Sequence, residues 1–150
     1  AGANKRHLTL WNGTGSGKPL KIYRIVASGA PIAAVTGQVL SLYAARITTQ
    51  PTGGTVKTPV KAANGDADLA AEITARAAPT NALTEQASAF GAGTVSGEET
   101  ASAIQSPIYD FRINGTKPIE LSEGQGVTVK QGGLAAAGAA NFIIEFSAIP

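Results

Sequence analysis

The sequence predicts an all-β chain, an antiparallel sandwich of about eight or nine strands with long loops. Three observations carry this. Short segments rich in branched and aromatic residues alternate apolar with polar side chains, the period of a half-buried strand. The separators between them are turn chemistry, with Asn-Gly and Gly-rich pairs that reach positive φ at little steric cost. Helical periodicity is almost absent, and many short strands spaced by such turns indicate a sandwich or barrel.

Taken in order, HLTLW (7–11) places Leu8 and Leu10 on one face. LKIYRIVA (20–27) and QVLSLYAARIT (38–48) are apolar on both faces, as central strands covered on two sides would be. GTVKTPV (54–60) carries Pro59, which suits an edge strand, and EITARAA (72–78) alternates Ile73, Ala75 and Ala77 against Glu72, Thr74 and Arg76. In IYDFRI (108–113), Tyr109, Phe111 and Ile113 are expected inside, with Asp110 and Arg112 outside. PIELS, GVTVKQ and NFIIEFSAI complete the set. The one helical expectation is a turn or two around NALTEQASAF (81–90), ended by Gly91 and Gly93, within a long Ala/Gly/Ser/Thr loop over 79–106. Loops of that length are usually functional or contact a partner.

A chain of 150 residues fits one domain, 1–150, able to bury about 70% of its unfolded surface. The expected core is Leu8, Leu10, Ile22, Leu40, Leu42, Ile73, Tyr109, Phe111, Ile113, Leu121, Val127, Val129, Phe142, Ile144 and Phe146. Truncating a fully buried Phe111 or Phe146 to alanine would cost about 3–5 kcal/mol. Without cysteine, disulfides, thiolate metal sites and Cys nucleophiles are ruled out. No apolar run reaches the eighteen or so residues of a membrane span, and AGANKRHL lacks the apolar core of a signal peptide, so a soluble protein is expected.

Charge is divided along the chain. Residues 1–65 hold eight Lys and Arg and no acid, a sum of +8, whereas 66–150 hold four basic and ten acidic residues, a sum of −6. A basic surface for nucleic acid is one reading. The other is that the halves interleave and neutralise each other. Single basic residues spread through strands, with few aromatics to stack bases, favour the latter, so direct nucleic-acid binding is not expected.

WNGTGSGKPLKIYRI (11–25) looks like a phosphate-binding loop. A P-loop needs G-x-x-x-x-G-K-[ST] opening a helix. Here Asn12 replaces the first glycine, Pro19 replaces the hydroxyl residue, and a strand pattern follows. The dinucleotide fingerprint fails at Lys18. The stretch reads as a flexible connection between two strands. His7, the only histidine, sits in a basic KRH cluster with no nucleophile elbow, and reads as a solvated arm residue rather than a catalytic base. Asn64, Asp66 and Asp68 resemble the start of a calcium loop, but Leu69 and Ala75 occupy the required Gly and Glu positions. A looser site with Glu72 and a solvated turn with Asx hydrogen bonds both stay open. Paired carboxylates at Glu98-Glu99 and at Glu120 with Glu123 lack the aromatic platforms of a glycosidase. The expected catalytic, cofactor-binding and metal-binding sets are therefore empty.

RINGTKPIELSEGQGVTVKQGG followed by NFIIEFSAI resembles the closing strands of small jelly-roll virion proteins, and HLTLWNGTGSGKPLKIYRI resembles their opening hairpin. The family is the capsid decoration, or cement, proteins of tailed bacteriophages, and the likeness covers about half the chain. It implies a jelly-roll-like sandwich on the exterior of the virion capsid. There it would bind the major capsid protein, bridge capsomers and assemble as a trimer or dimer without cofactor, membrane or enzymatic chemistry. Residues 1–7 would form an extended arm. The expected partner contacts are Lys5, Arg6 and His7 with Glu98 and Glu99. A tail, baseplate or head-fibre module and a carbohydrate-binding module are the alternatives.

Overall fold

The computed structural model describes residues 5–29, 38–63, 65–97, 105–113, 117–132 and 140–148. The chain is all-β and antiparallel throughout. Its strands are β1 (Arg6–Asn12), β2 (Leu20–Gly29), β3 (Gln38–Ile47), β4 (Thr55–Lys57), β5 (Ile73–Ala77), β6 (Glu85–Gly97), β7 (Gln105–Asp110), β8 (Ile119–Leu121), β9 (Gln125–Gln131) and β10 (Ala140–Ala148). A six-stranded sheet runs β4-β5-β1-β9-β3-β6. A four-stranded sheet runs β10-β2-β7, with β8 beside β7 on the same edge of β2. The chain passes between the sheets at β1–β2, β2–β3, β6–β7, β8–β9 and β9–β10, the alternation of a jelly-roll-like double sheet.

The core between the layers is aliphatic. Leu10, Leu42, Val127 and Val129 of the larger sheet face Leu20, Ile22, Ile25 and Leu121 of the smaller, all at 0–1% exposure. In β2 the inward residues are Leu20 and Ile22, then Ile25 and Ala27, a spacing that breaks strict alternation. The break is a bulge: β10 pairs Phe146 with Ile22 but Glu145 with Arg24, so Tyr23 is the extra residue. Trp11, Ile47 and Leu83 form a second, smaller cluster, so β1 and β3 bury apolar residues on both faces, which the sequence implied for β3 but not for β1.

Several expectations need correction. Residues 85–90, read as helix within a loop, begin the thirteen-residue strand β6. The next residue makes a close approach: a Cβ on Gly91 would lie 2.1 Å from the Ile108 carbonyl oxygen of β7, so this point of the seam between the sheets excludes a side chain. The segment IYDFRI stops being a strand at Asp110. The Asp110 carboxylate accepts from the Arg112 amide at 3.0 Å and its carbonyl accepts from the Ile113 amide at 3.1 Å, a side-chain-stabilised turn. Ile113 is consequently 72% exposed and Asp110 is buried, the reverse of the expected phase. Phe111, Phe142, Ile144 and Phe146 pack against the core from half-buried positions, and Leu8 is also half-buried.

The glycine stretch is pinned, not flexible. Asn12, fully buried, donates from Nδ2 to the Lys18 carbonyl at 2.9 Å and the Leu121 carbonyl at 3.0 Å. The Gly13 amide donates to the Glu72 carbonyl at 3.0 Å. The connection therefore ties β1, β2 and β8 together where the chain changes sheets.

Candidate interaction surface

The residues expected to contact a partner do not form one exposed arm. Lys5 is exposed, whereas Arg6 and His7 belong to β1 and are half-buried. Pairing with β9 supplies the reason, because the register moves from Leu8–Val129 to Arg6–Lys130 and leaves His7 as a bulge. Glu98 and Glu99 lie outside the described residues.

Arg6 instead enters an internal charge cluster. Glu85, the first residue of β6, accepts from Arg6 Nε at 2.9 Å and lies 2.8 Å from its Nη2. The same carboxylate contacts Lys130 of β9, whose Nζ sits 5.6 Å from the centre of the Tyr43 ring. One carboxylate thus links β1, β6 and β9. Beside it, Tyr43, Lys130 and Glu85 line a half-open groove of about 250 Å³ together with Ala45, Gln86, Ala87 and Ala89. That volume is below the roughly 300–1,000 Å³ of small-molecule pockets. Nothing in the cluster is a nucleophile facing a base, and its chemistry is that of an ion-paired fastening.

His7 stacks on Phe142 of β10, with ring centroids 4.9 Å apart and planes 18° apart. Burial is the largest influence on the imidazole, and nearby Lys5 adds to it; together they outweigh a hydrogen bond to Gln131 and hold its pKa below the ordinary 6.5. A histidine whose folded pKa is depressed binds fewer protons folded than unfolded, so its stabilising contribution is complete above pH 6.5 and shrinks as pH falls through that value. The thermal midpoint is expected to fall between pH 7.5 and 5.5, and to fall less in a His7→Gln variant. Equal slopes in the two chains would show that His7 does not couple to folding.

The glycine loop does cradle an anion, supplied by the chain itself. The Glu123 carboxylate accepts from the amides of Gly15 at 3.1 Å and Gly17 at 2.7 Å. Both glycines have positive φ, 93° and 71°, which turns their two amides toward one carboxylate. The Gly15 hydrogen bond, followed by that of Gly17, lowers the Glu123 pKa below the usual carboxylate value. Glu123 is therefore committed to the loop.

The two charge halves meet in pairs. Arg6 with Glu85, Arg24 with Asp110 at 3.7 Å and with Glu145 at 3.5 Å, and Lys61 with Asp68 at 2.6 Å each join a basic residue of the first half to an acid of the second. Asp68 is thereby engaged, and the Asp66 carboxylate accepts from the Ala63 amide at 3.0 Å. Hydrogen bonding from Arg112 holds the Asp110 pKa down. Among the described residues, no three His, Cys, Asp or Glu side chains gather as a metal site, and no helix is long and apolar enough to cross a membrane. Trp11 is buried in its own cluster, so it offers no flat platform to a sugar or a base.

The sequence reading missed Glu85, Lys130, Tyr43 and Phe142 as neighbours of the expected contact residues. A signal existed for one of them, since Glu85 is the only acidic residue between Glu72 and Glu98. A single charge within a run of small neutral residues marks a position with a specific counter-ion.

Comparison of the chain with protein-family models, with curated proteins and with solved structures finds no match.

Proposed function

We propose that the chain is a structural virion protein, a decoration protein on the outside of a tailed-phage capsid that stabilises the shell by bridging capsomers. The observation that carries this reading is the way the two resembling segments interlock. The opening and closing segments are distant in sequence. β1 and β2 lie in different sheets and form no hairpin with each other, yet β1 pairs with β9, while β2 pairs with β8 and β10. The resembling segments thus lie side by side in both sheets of the sandwich and are not two unrelated fragments.

The physical logic agrees with a binding role in place of catalysis. The anion cradle is filled by Glu123, and Arg6 and Glu85 are spent on each other, so these groups hold the scaffold rigid. A rigid body with modest contacts holds a lattice by repetition, because each added contact within an assembly is intramolecular and raises avidity. The partner is the major capsid protein, with Lys5 at the exposed start of the described chain as the remaining candidate contact.

Cryo-electron microscopy of particles carrying the chain tests this. Density for the sandwich at regular positions on the outer head surface is expected. Density on the tail or baseplate would replace the proposal with that of a tail module, and absence from particles would overturn it.

A further inference from the structure

We propose that the outer edge of β10 is a homodimer interface at which a second copy of this chain adds its own β10 antiparallel, related by a two-fold axis through Ile144. An open sheet edge presents unpaired amides and carbonyls, and proteins normally blunt such edges with proline, lysine, short strands or covering structure. Three of the four edges here are treated in that way. β4 is three residues long, ends in Lys57 and is soon followed by Pro59. β6 closes against β7 at Gly91 and Ile108. The far edge of β2's neighbours is broken into β7 and β8, with Pro107 in the first and Pro118 just before the second.

Among the described residues, β10 has none of these devices. It is nine residues long, contains no proline and no lysine, and pairs with β2 over its whole length, from Ala140–Gly29 to Ala148–Leu20. No described strand pairs with its other edge. The apolar row there is incomplete. Phe142, Ile144 and Phe146 touch the core yet remain half-buried, and Ile143 on the opposite face is 52% exposed.

The identity of the occupant follows from the strand's own pattern. Asn-Phe-Ile-Ile-Glu-Phe-Ser (141–147) is close to palindromic about Ile144. Antiparallel pairing about that residue sets Phe142 against the second copy's Phe146, Asn141 against its Ser147, and Ile144 against its Ile144. The aromatic row would then run unbroken from one sandwich into the next, with small polar residues at both ends. Ile143 would lie opposite the second copy's Glu145, whose carboxylate is already paired with Arg24 in its own chain. Such an isologous contact satisfies both edges at once and closes at two copies.

This inference deepens the assembly reading by naming the partner and surface, but it needs no capsid, so the two fail separately. A dimer in solution that is absent from particles sinks only the virion role. A monomer that decorates heads sinks only the dimer. Light scattering on the full chain across a concentration series is expected to show twice the monomer mass, and Ile143→Lys to return it to monomer mass with an unchanged circular dichroism spectrum. Because the native chain has no cysteine, register is tested directly even if that variant folds poorly. Ile143→Cys protein mixed with Glu145→Cys protein should give mainly the mixed disulfide under mild oxidation, since directly opposite Cβ atoms lie about 4.5–5.5 Å apart and diagonal ones about 7–8 Å. A monomer at every concentration, a closed trimer, or homodisulfides in equal or greater yield than the mixed product would overturn the proposal.

Discussion

Leu10→Ala is expected to lower the unfolding free energy by about 2–5 kcal/mol, the range for truncating a large aliphatic side chain in a packed core. Leu10 is 1% exposed at the middle of β1, opposite Ala75 on one side and Val127 on the other. Its loss leaves a cavity bounded by paired strands of the central sheet, which cannot collapse into the space without breaking register. Phe111→Ala should cost clearly less, despite removing a larger group, because the ring is only partly buried beyond the end of β7 and meets Tyr23 edge-on at 5.6 Å. Urea unfolding of both variants gives the comparison. A larger loss at Phe111 would mean that the aromatic rings, and not the aliphatic rows, dominate the interior.

Gly126→Ala should also destabilise strongly, although it adds a single methyl group. A Cβ at position 126 would meet the Leu10 carbonyl oxygen at 2.5 Å, Trp11 Cε3 at 2.9 Å and Ile47 Cγ1 at 3.0 Å. The first is backbone inside a ladder and cannot swing aside, and the other two belong to the smaller apolar cluster. Overpacking of a well-filled site costs about 1–3 kcal/mol and sometimes more. The Trp11 environment should change with it, so a shift in tryptophan emission is expected alongside a lower thermal midpoint. Unaltered emission with wild-type stability would show that β1 and β9 separate more readily than their register implies.

These two sites show how the fold was legible in part. Leu10 stands in a two-residue alternation, HLTLW, which marked it as core, although that period did not show that Thr9 and Trp11 are buried on the other face and Leu8 only partly. Gly126 carries no such signal, because its importance lies in the carbonyl and indole brought against it by a strand more than a hundred residues away. The interaction surface divides in the same way. Arg6 and His7 were visible as a basic cluster, but their partners Glu85 and Phe142 lie far along the chain, and a lone sequence assigns no counter-ion across that distance.

The sequence by itself determined the class of structure: strands from alternation and turns from Asn-Gly and Gly-rich pairs. It also showed that the 11–25 stretch lacks the P-loop and dinucleotide patterns, since Asn12, Lys18 and Pro19 stand where those patterns need other residues. Only the tertiary structure decided that the small-residue stretch from Glu85 to Gly97 is a strand. Local propensity there is weak, and antiparallel pairing with β3 along its length overrides it. The tertiary structure also decided that Asp110 is inside and Ile113 outside, because one carboxylate capping a turn ended the alternation. Periodicity is a local property of neighbouring residues, whereas ion pairs, seams and strand ends depend on what folding brings near, and for those the sequence alone holds no distance.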